Sequence, residues 1–377
     1  MKICPSVLHQ RSLVFVLQRT VYKVEAHSKR YKVVAEIPYQ DADLTKCTEA
    51  GLRYPDGEAR MGQMHSMQST ERYVIVAENS YLWDPCSTLY DDPSQPHYRH
   101  MFSYENSTDG RIYIVNKNGD HEATLRVRHM FITHVLGSYE DTAANKLVFD
   151  VLQYKDASPY DHWADTDVIT GGERHPDNFT EVMRYTVDMA TWTLDPAAPQ
   201  NLIKADITYD FEFSNINPAY YTKPYKYGYM THNVFNLHGS TIKLNVEDGT
   251  IIKKELPDGM FPTEPIFVAA PGSAAEDDGV ILMPGVDGGK EKGFIMIYNA
   301  TNMEVLYQGL APKMSLFGLH SKFYPFHVGC SQNDCTPETK ATTTTTTESG
   351  QTDQNSVAAM PVFTIIHVLA IVTVAFF

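Results

Sequence analysis

The chain has 377 residues, 43% of them hydrophobic, which is enough to bury a sizeable core. Its 46 acidic against 31 basic residues leave a formal net charge of −15. That balance excludes a phosphate-tracking nucleic-acid binder, since counterion release requires a basic face.

In chain order, the amino terminus offers only the short apolar run Ser12 to Leu17, shorter than the ~7–15 residues of a signal-peptide core. From about Tyr31 to Phe326 short β-type runs alternate with turn residues, and no long stretch has helical periodicity. The expected fold class is therefore all-β. Tyr73 to Ala77 is one such run. In RIYIVNKNGDHEATLRVR, Asn118-Gly119 separates Ile112–Val115 from the alternating Ala123, Leu125 and Val127, which predicts a hairpin. Leu147 to Leu152 is a further strand. In TIKLNVEDGTIIKKEL, Ile242, Leu244 and Val246 alternate with polar residues and Asp248-Gly249 supplies the turn. Val280 to Met283 and Phe294 to Tyr298 follow. Periodicity alone leaves propeller, sandwich and barrel open.

After Cys335 a threonine-rich segment has too few apolar residues to pack. Val357 to Phe377 is almost wholly apolar, approaching the ~20 residues that span a bilayer. Small residues and a polar spacer precede it, an arrangement similar to a glycosylphosphatidylinositol-anchor signal, with a simple tail anchor as the alternative. The expected domains are residues 1–329, a linker at 330–356 and the hydrophobic tail at 357–377. Membrane association is expected through that tail.

The cysteines, Cys4, Cys47, Cys86, Cys330 and Cys335, form no Cys-x-x-Cys pair, which argues against structural zinc and thioredoxin-like chemistry. Cys330 and Cys335 are spaced either to close a small loop or to remain two thiols. Sequons for glycosylation occur at Asn106, Asn178 and Asn299, close to the on-the-order-of-two that chance supplies.

No His-Glu-x-x-His motif is present, and a lone histidine is more often a surface or core residue than a ligand. Three histidines have informative surroundings. ARMGQMHSMQSTERYVIVAE, Ala59 to Glu78, resembles the carotenoid oxygenase motif in which a histidine-serine pair precedes a threonine-glutamate and a tyrosine-led strand. FITHVLGSYEDTAANKLVFDVLQYKD resembles that family's second histidine segment, and MSLFGLHSKFYPF resembles its closing histidine motif. DFEFSNIN and FPTEPIFVAAPGSAAEDDGVIL resemble the segments carrying outer glutamates. The matches stand in family order.

The resemblance to the carotenoid cleavage oxygenases implies a seven-bladed β-propeller, here lacking the family's first strands. It implies Fe(2+) held by His65, His134 and His320, with Glu212 behind His134 and Glu264 behind His320. Neutral imidazoles suit Fe(II), and their second ring nitrogens need partners that fix tautomer and orientation. The implied activity is that of a dioxygenase, cleaving a conjugated double bond of a carotenoid or apocarotenoid with dioxygen. A retinyl-ester isomerohydrolase and a non-catalytic, membrane-tethered carotenoid or retinoid binder are the alternatives. The family's usual first ligand lies in a histidine-proline-histidine segment upstream of YKVVAEIP; His9 and His27 stand in no such context. Gly137-Ser138 and Ser321-Lys322 also depart from the family pattern. The tyrosines of PAYYTKPYKYGYM, Tyr220 to Tyr229, suit either the lining of an apolar substrate tunnel or ordinary strand packing, the commoner role of aromatic residues in β-rich proteins.

Overall fold

A computed structural model describes residues 14–15, 18–24, 31–38, 42–43, 47, 60–84, 86, 102–104, 108–157, 180–205, 207, 210–233, 239–311 and 320–323. The linker, the hydrophobic tail, Cys330, Cys335, Asn106 and Asn178 lie outside the described residues.

The described chain is built from antiparallel strands. Two small pairings come first: β1 (Val14–Phe15) with β4 (Ala42–Asp43), and β2 (Gln18–Val24) with β3 (Tyr31–Pro38). A four-stranded sheet follows, of β5 (Met67–Ser69), β6 (Tyr73–Glu78), β9 (Gly110–Asn116) and β10 (His121–Val127), interrupted by the hairpin of β7 (Tyr81–Trp83) and β8 (Phe102–Tyr104). The second sheet contains β11 (Phe131–Asp141), β12 (Lys146–Tyr154), β13 (Thr180–Asp188), β14 (Thr193–Leu194) and β15 (Gln200–Asn201). The third contains β16 (Phe211–Ile216), β17 (Tyr227–His232), β18 (Ser240–Asn245) and β19 (Ile251–Glu255). The fourth contains β20 (Met260–Pro262), β21 (Ile266–Ala269), β22 (Gly279–Asp287), β23 (Lys292–Asn299) and β24 (Val305–Leu310).

Each sheet is a near-local meander, as expected where turn signals recur at short intervals. The two sequence-predicted hairpins are β9–β10 and β18–β19. Their turns contain Gly119 and Gly249, both at positive φ, which glycine adopts without steric cost.

The core lies between successive sheets. Ile75, Ile114 and Leu125 of the first pack against Leu147, Phe149 and Tyr185 of the second. Leu152 and Val182 of the second meet Phe211, Met230 and Ile242 of the third. Tyr229 of the third packs with Phe267, Met283 and Tyr298 of the fourth. Burying both faces of a sheet requires apolar residues on both, so β6, β9 and β12 are near-continuous apolar runs instead of alternating ones. Tyr225 and Tyr229 belong to this packing, in agreement with the sequence reading.

The leading strands of the sheets are neighbours: β11 packs against β5 and β16, and β16 against β21. Residues on or beside these strands therefore converge, although they are far apart in sequence.

Candidate metal centre

His65 precedes β5, His134 lies on β11, Glu212 on β16, and Glu264 just before β21. His320 follows β24. The fold brings all five together. The His134 ring centroid is 5.0 Å from that of His65 and 5.1 Å from that of His320, with edge-on ring planes in both pairs. Among the described residues no three His, Cys, Asp or Glu side chains are closed around a single point as metal ligands.

Local irregularities aim these side chains. The β11–β12 register shifts between Ile132 and Val135, around Thr133 and His134. The β16–β17 register shifts between Glu212 and Asn215. A bulge adds a residue to one strand and redirects the adjacent side chains. Phe213, inside the second bulge, has φ 51°, an uncommon conformation for a bulky side chain. Its buried ring lies 5.2 Å from His134 and 5.9 Å from His320.

Glu212 is fully buried. Its carboxylate accepts from His134 Nδ1 and the Tyr154 hydroxyl, from Thr133 Oγ1 at 3.0 Å, and from the Phe213 amide at 3.3 Å. Burial opposes its ionisation, but the His134 ring, the Tyr154 hydroxyl and His65 outweigh burial and draw its pKa down to about 2. A carboxylate can only accept, so His134 Nδ1 carries a proton, and in the neutral ring Nε2 presents a lone pair. That Nε2 is buried and, among the described residues, has no hydrogen-bond partner.

His65 keeps an open surface, yet it is surrounded by enough protein that burial, followed by the neighbouring His134, lowers its pKa to about 3. It is a neutral imidazole at physiological pH. The exposed His320 sits with Nδ1 3.4 Å from Glu264 Oε2, which also accepts the Ser321 amide at 2.9 Å. Hydrogen bonding to Glu264 raises the His320 pKa against the opposing effect of burial.

This donor set fits a cation that accepts imidazole nitrogen: an orphaned buried lone pair, two further rings beside it, and two carboxylates directed at ring nitrogens from behind.

A second layer holds the loop bearing His65. The Gly62 amide donates to Glu78 Oε1 at 2.6 Å, and buried Glu78 also accepts from Arg111 and Tyr113. A Cβ on Gly62 would lie 2.2 Å from the Asn79 carbonyl oxygen, so only glycine permits this approach. Asn79 Nδ2 donates to Gln63 Oε1 and to the Ile132 carbonyl, each at 2.8 Å. Asn79 thereby ties the His65 loop to β11, two residues before His134.

Sequence reasoning singled out none of Asn79, Tyr154, Thr133 and Phe213. All four fall inside the quoted motifs or immediately beside them, but nothing in residue type marks them. The Gly137 departure has a local reason. A Cβ there would fall 2.5 Å from the Tyr225 ring, whose hydroxyl is bonded to Asp150.

Residues 12–325 match the family described as retinal pigment epithelial membrane protein. The chain belongs to that family, the carotenoid oxygenases. Its relatives in this family include the carotenoid isomerooxygenase of Galleria mellonella, 26% identical over 274 residues, covering 68% of this chain and 50% of the relative. The apocarotenoid-15,15'-oxygenase of Synechocystis is 26% identical, covering 71% and 52%. Torulene dioxygenase of Fusarium fujikuroi is 24% identical, covering 70% and 49%. The chain spans about half the length of these curated relatives. Among solved structures, cobalt-substituted Synechocystis apocarotenoid oxygenase shares the fold with a TM-score of 0.57 at 20% identity, covering 77% of this chain and 54% of the other. As in that carotenoid oxygenase, the architecture is a propeller-type succession of antiparallel sheets.

Proposed function

We propose that the complete protein is an iron-dependent oxygenase that cleaves a conjugated double bond of a carotenoid or apocarotenoid into carbonyl products such as retinal. His65, His134 and His320 would serve among the ligands of Fe(2+). The observation carrying this reading is the buried, unpartnered His134 Nε2, with its Nδ1 proton fixed on Glu212 and two further histidine rings adjacent. The carotenoid and apocarotenoid oxygenases among its relatives support the substrate class.

Bound iron supplies activation of dioxygen. The protein side of the chemistry belongs to this chain's own residues. Glu212 holds the His134 proton on Nδ1, leaving Nε2 free to donate its lone pair. Glu264 orients His320 in the same manner. His65 stays neutral because burial disfavours its cation. Phe213 places an apolar ring against His134 and His320, limiting water beside the histidines.

Metal content of the complete protein, measured by elemental analysis alongside product identification, tests the proposal. Stoichiometric iron and two carbonyl fragments support it, with both lost in His134→Ala. An isomerised retinol would assign the isomerohydrolase reaction. Pigment binding without iron, unaffected by His134→Ala or His320→Ala, would overturn the enzyme reading.

A further inference from the structure

We propose that Asn299 is an N-glycan acceptor, and that this domain matures on the luminal or extracellular side of a membrane. Two independent observations meet here. The first is covalent. Cys47 and Cys86, 39 residues apart, are joined by a disulfide, and both residues are buried. The Cys86 amide is held at 2.9 Å by Asp84 Oδ1. Disulfides of this structural kind form and persist in oxidising compartments and are rare where thiols are kept reduced.

The second observation is the Asn299-Ala300-Thr301 turn between β23 and β24, which has the Asn-x-Thr acceptor pattern. Asn299 Oδ1 accepts the Thr301 amide at 2.8 Å and the Asn302 amide at 3.4 Å. This Asx-type turn occupies the carboxamide oxygen. Among the described residues Nδ2 makes no hydrogen bond.

Asn299 is half-buried, and Thr301 and Asn302 are exposed. The turn is anchored from beneath. The Ala300 amide bonds the Gly279 carbonyl at 3.0 Å, the Met303 amide bonds the Asn299 carbonyl at 2.8 Å, and Thr301 Oγ1 donates to the Asp277 carbonyl at 3.0 Å. A sugar on Nδ2 would leave every one of these bonds intact. The turn joins the outer strands of its sheet, whereas the histidines lie by the leading strands. The glycan and the metal centre are thus separate features.

In the transfer, Nδ2 forms a bond to the anomeric carbon of an oligosaccharide carried on a lipid pyrophosphate. The bond from that carbon to the pyrophosphate oxygen breaks, the lipid pyrophosphate leaves with the electron pair, and Nδ2 loses one proton. No oxidant or reductant is consumed. A membrane-bound oligosaccharyltransferase is the implied partner.

The test is glycopeptide mass spectrometry on the complete protein isolated from its own cells, with Cys47 and Cys86 alkylated before and after reduction. The expected result is an N-acetylhexosamine-bearing glycan on Asn299, removable by peptide N-glycosidase, together with cysteines that alkylate only after reduction. In cells expressing an Asn106→Gln/Asn178→Gln background, the remaining mobility shift should vanish in Asn299→Gln and Thr301→Ala and persist in Thr301→Ser. Unmodified Asn299 overturns the proposal. If the cysteines are then freely alkylated, the domain resides in a reducing compartment; if they are linked, the glycan assignment alone fails. None of these readouts depends on iron or on turnover.

Discussion

Asn79 and Ile132 are joined by two hydrogen bonds of 2.8 Å, the carboxamide nitrogen donating to the Ile132 carbonyl and the carboxamide oxygen accepting the Ile132 amide. One side chain thus replaces a step of strand pairing and, through Gln63, fixes the His65 loop against the strand bearing His134. Replacing Asn79 by Ala should cost about 1–3 kcal/mol, the penalty of leaving buried partners unsatisfied. Asn79→Asp should cost at least as much, since a carboxylate cannot donate to the Ile132 carbonyl. Urea denaturation of the two variants measures this. A stability equal to that of the parent would show that the bridge does not hold the loop.

Glu212 fixes the proton on His134. Removing its charge in Glu212→Gln should lower metal affinity by ~10–100-fold, the usual consequence of losing a ligand's outer partner. Tyr154→Phe removes one donor to the same carboxylate and should have a smaller effect. Competition with a chelator, followed by the absorption of a cobalt-loaded protein, gives both values. Equal affinities in parent and Glu212→Gln would separate the carboxylate from metal binding.

Phe213 combines a buried ring with φ 51°. Truncation in Phe213→Ala should cost ~3–5 kcal/mol. Phe213→Gly loses the same ring but gains conformational freedom at positive φ, and should be ~1 kcal/mol more stable than the alanine variant. The opposite order in chemical denaturation would mean that the left-handed conformation is not retained.

Glu140 accepts from Thr70 Oγ1 at 2.7 Å, the Arg72 amide at 2.8 Å and Arg72 Nε at 2.6 Å. Burial opposes its ionisation, but the Arg72 amide, the Thr70 hydroxyl and the Arg72 guanidinium together hold its pKa below the ordinary 4.5. The unfolded chain therefore binds more protons in that range. The stabilisation is complete above about 4.5 and is lost as pH falls through the folded-state value. Melting temperatures should fall more steeply with acidification in the parent than in Glu140→Gln. Parallel profiles would rule out this contribution.

The disulfide joins Cys47 to Cys86 across a sequence separation of 39. Cys47→Ser/Cys86→Ser should lower stability by ~2–4 kcal/mol, read from denaturation midpoints under non-reducing conditions. An unchanged midpoint would show that the link carries no net stabilisation.

Much of the fold was legible in the chain because its strands pair locally. Asn118-Gly119 and Asp248-Gly249 announce their own hairpins, and Leu147–Leu152 or Phe294–Tyr298 read as strands wherever they are placed. The histidines were legible only through their surrounding motifs, since residue type alone does not distinguish His65, His134 and His320 from the other histidines. Tertiary structure decided the rest. The sequence separations of 78 between His134 and Glu212, and of 53 between Asn79 and Ile132, are bridged by sheet stacking, which no local periodicity encodes. The Cys47–Cys86 pairing likewise joins positions far apart in sequence, which cysteine spacing alone does not reveal. Bulges at His134 and Glu212 break the strand alternation on which sequence reading depends. The sequence by itself determined the strands and the donor chemistry; the stacking of the sheets and the bulges in their leading strands decided which donors meet.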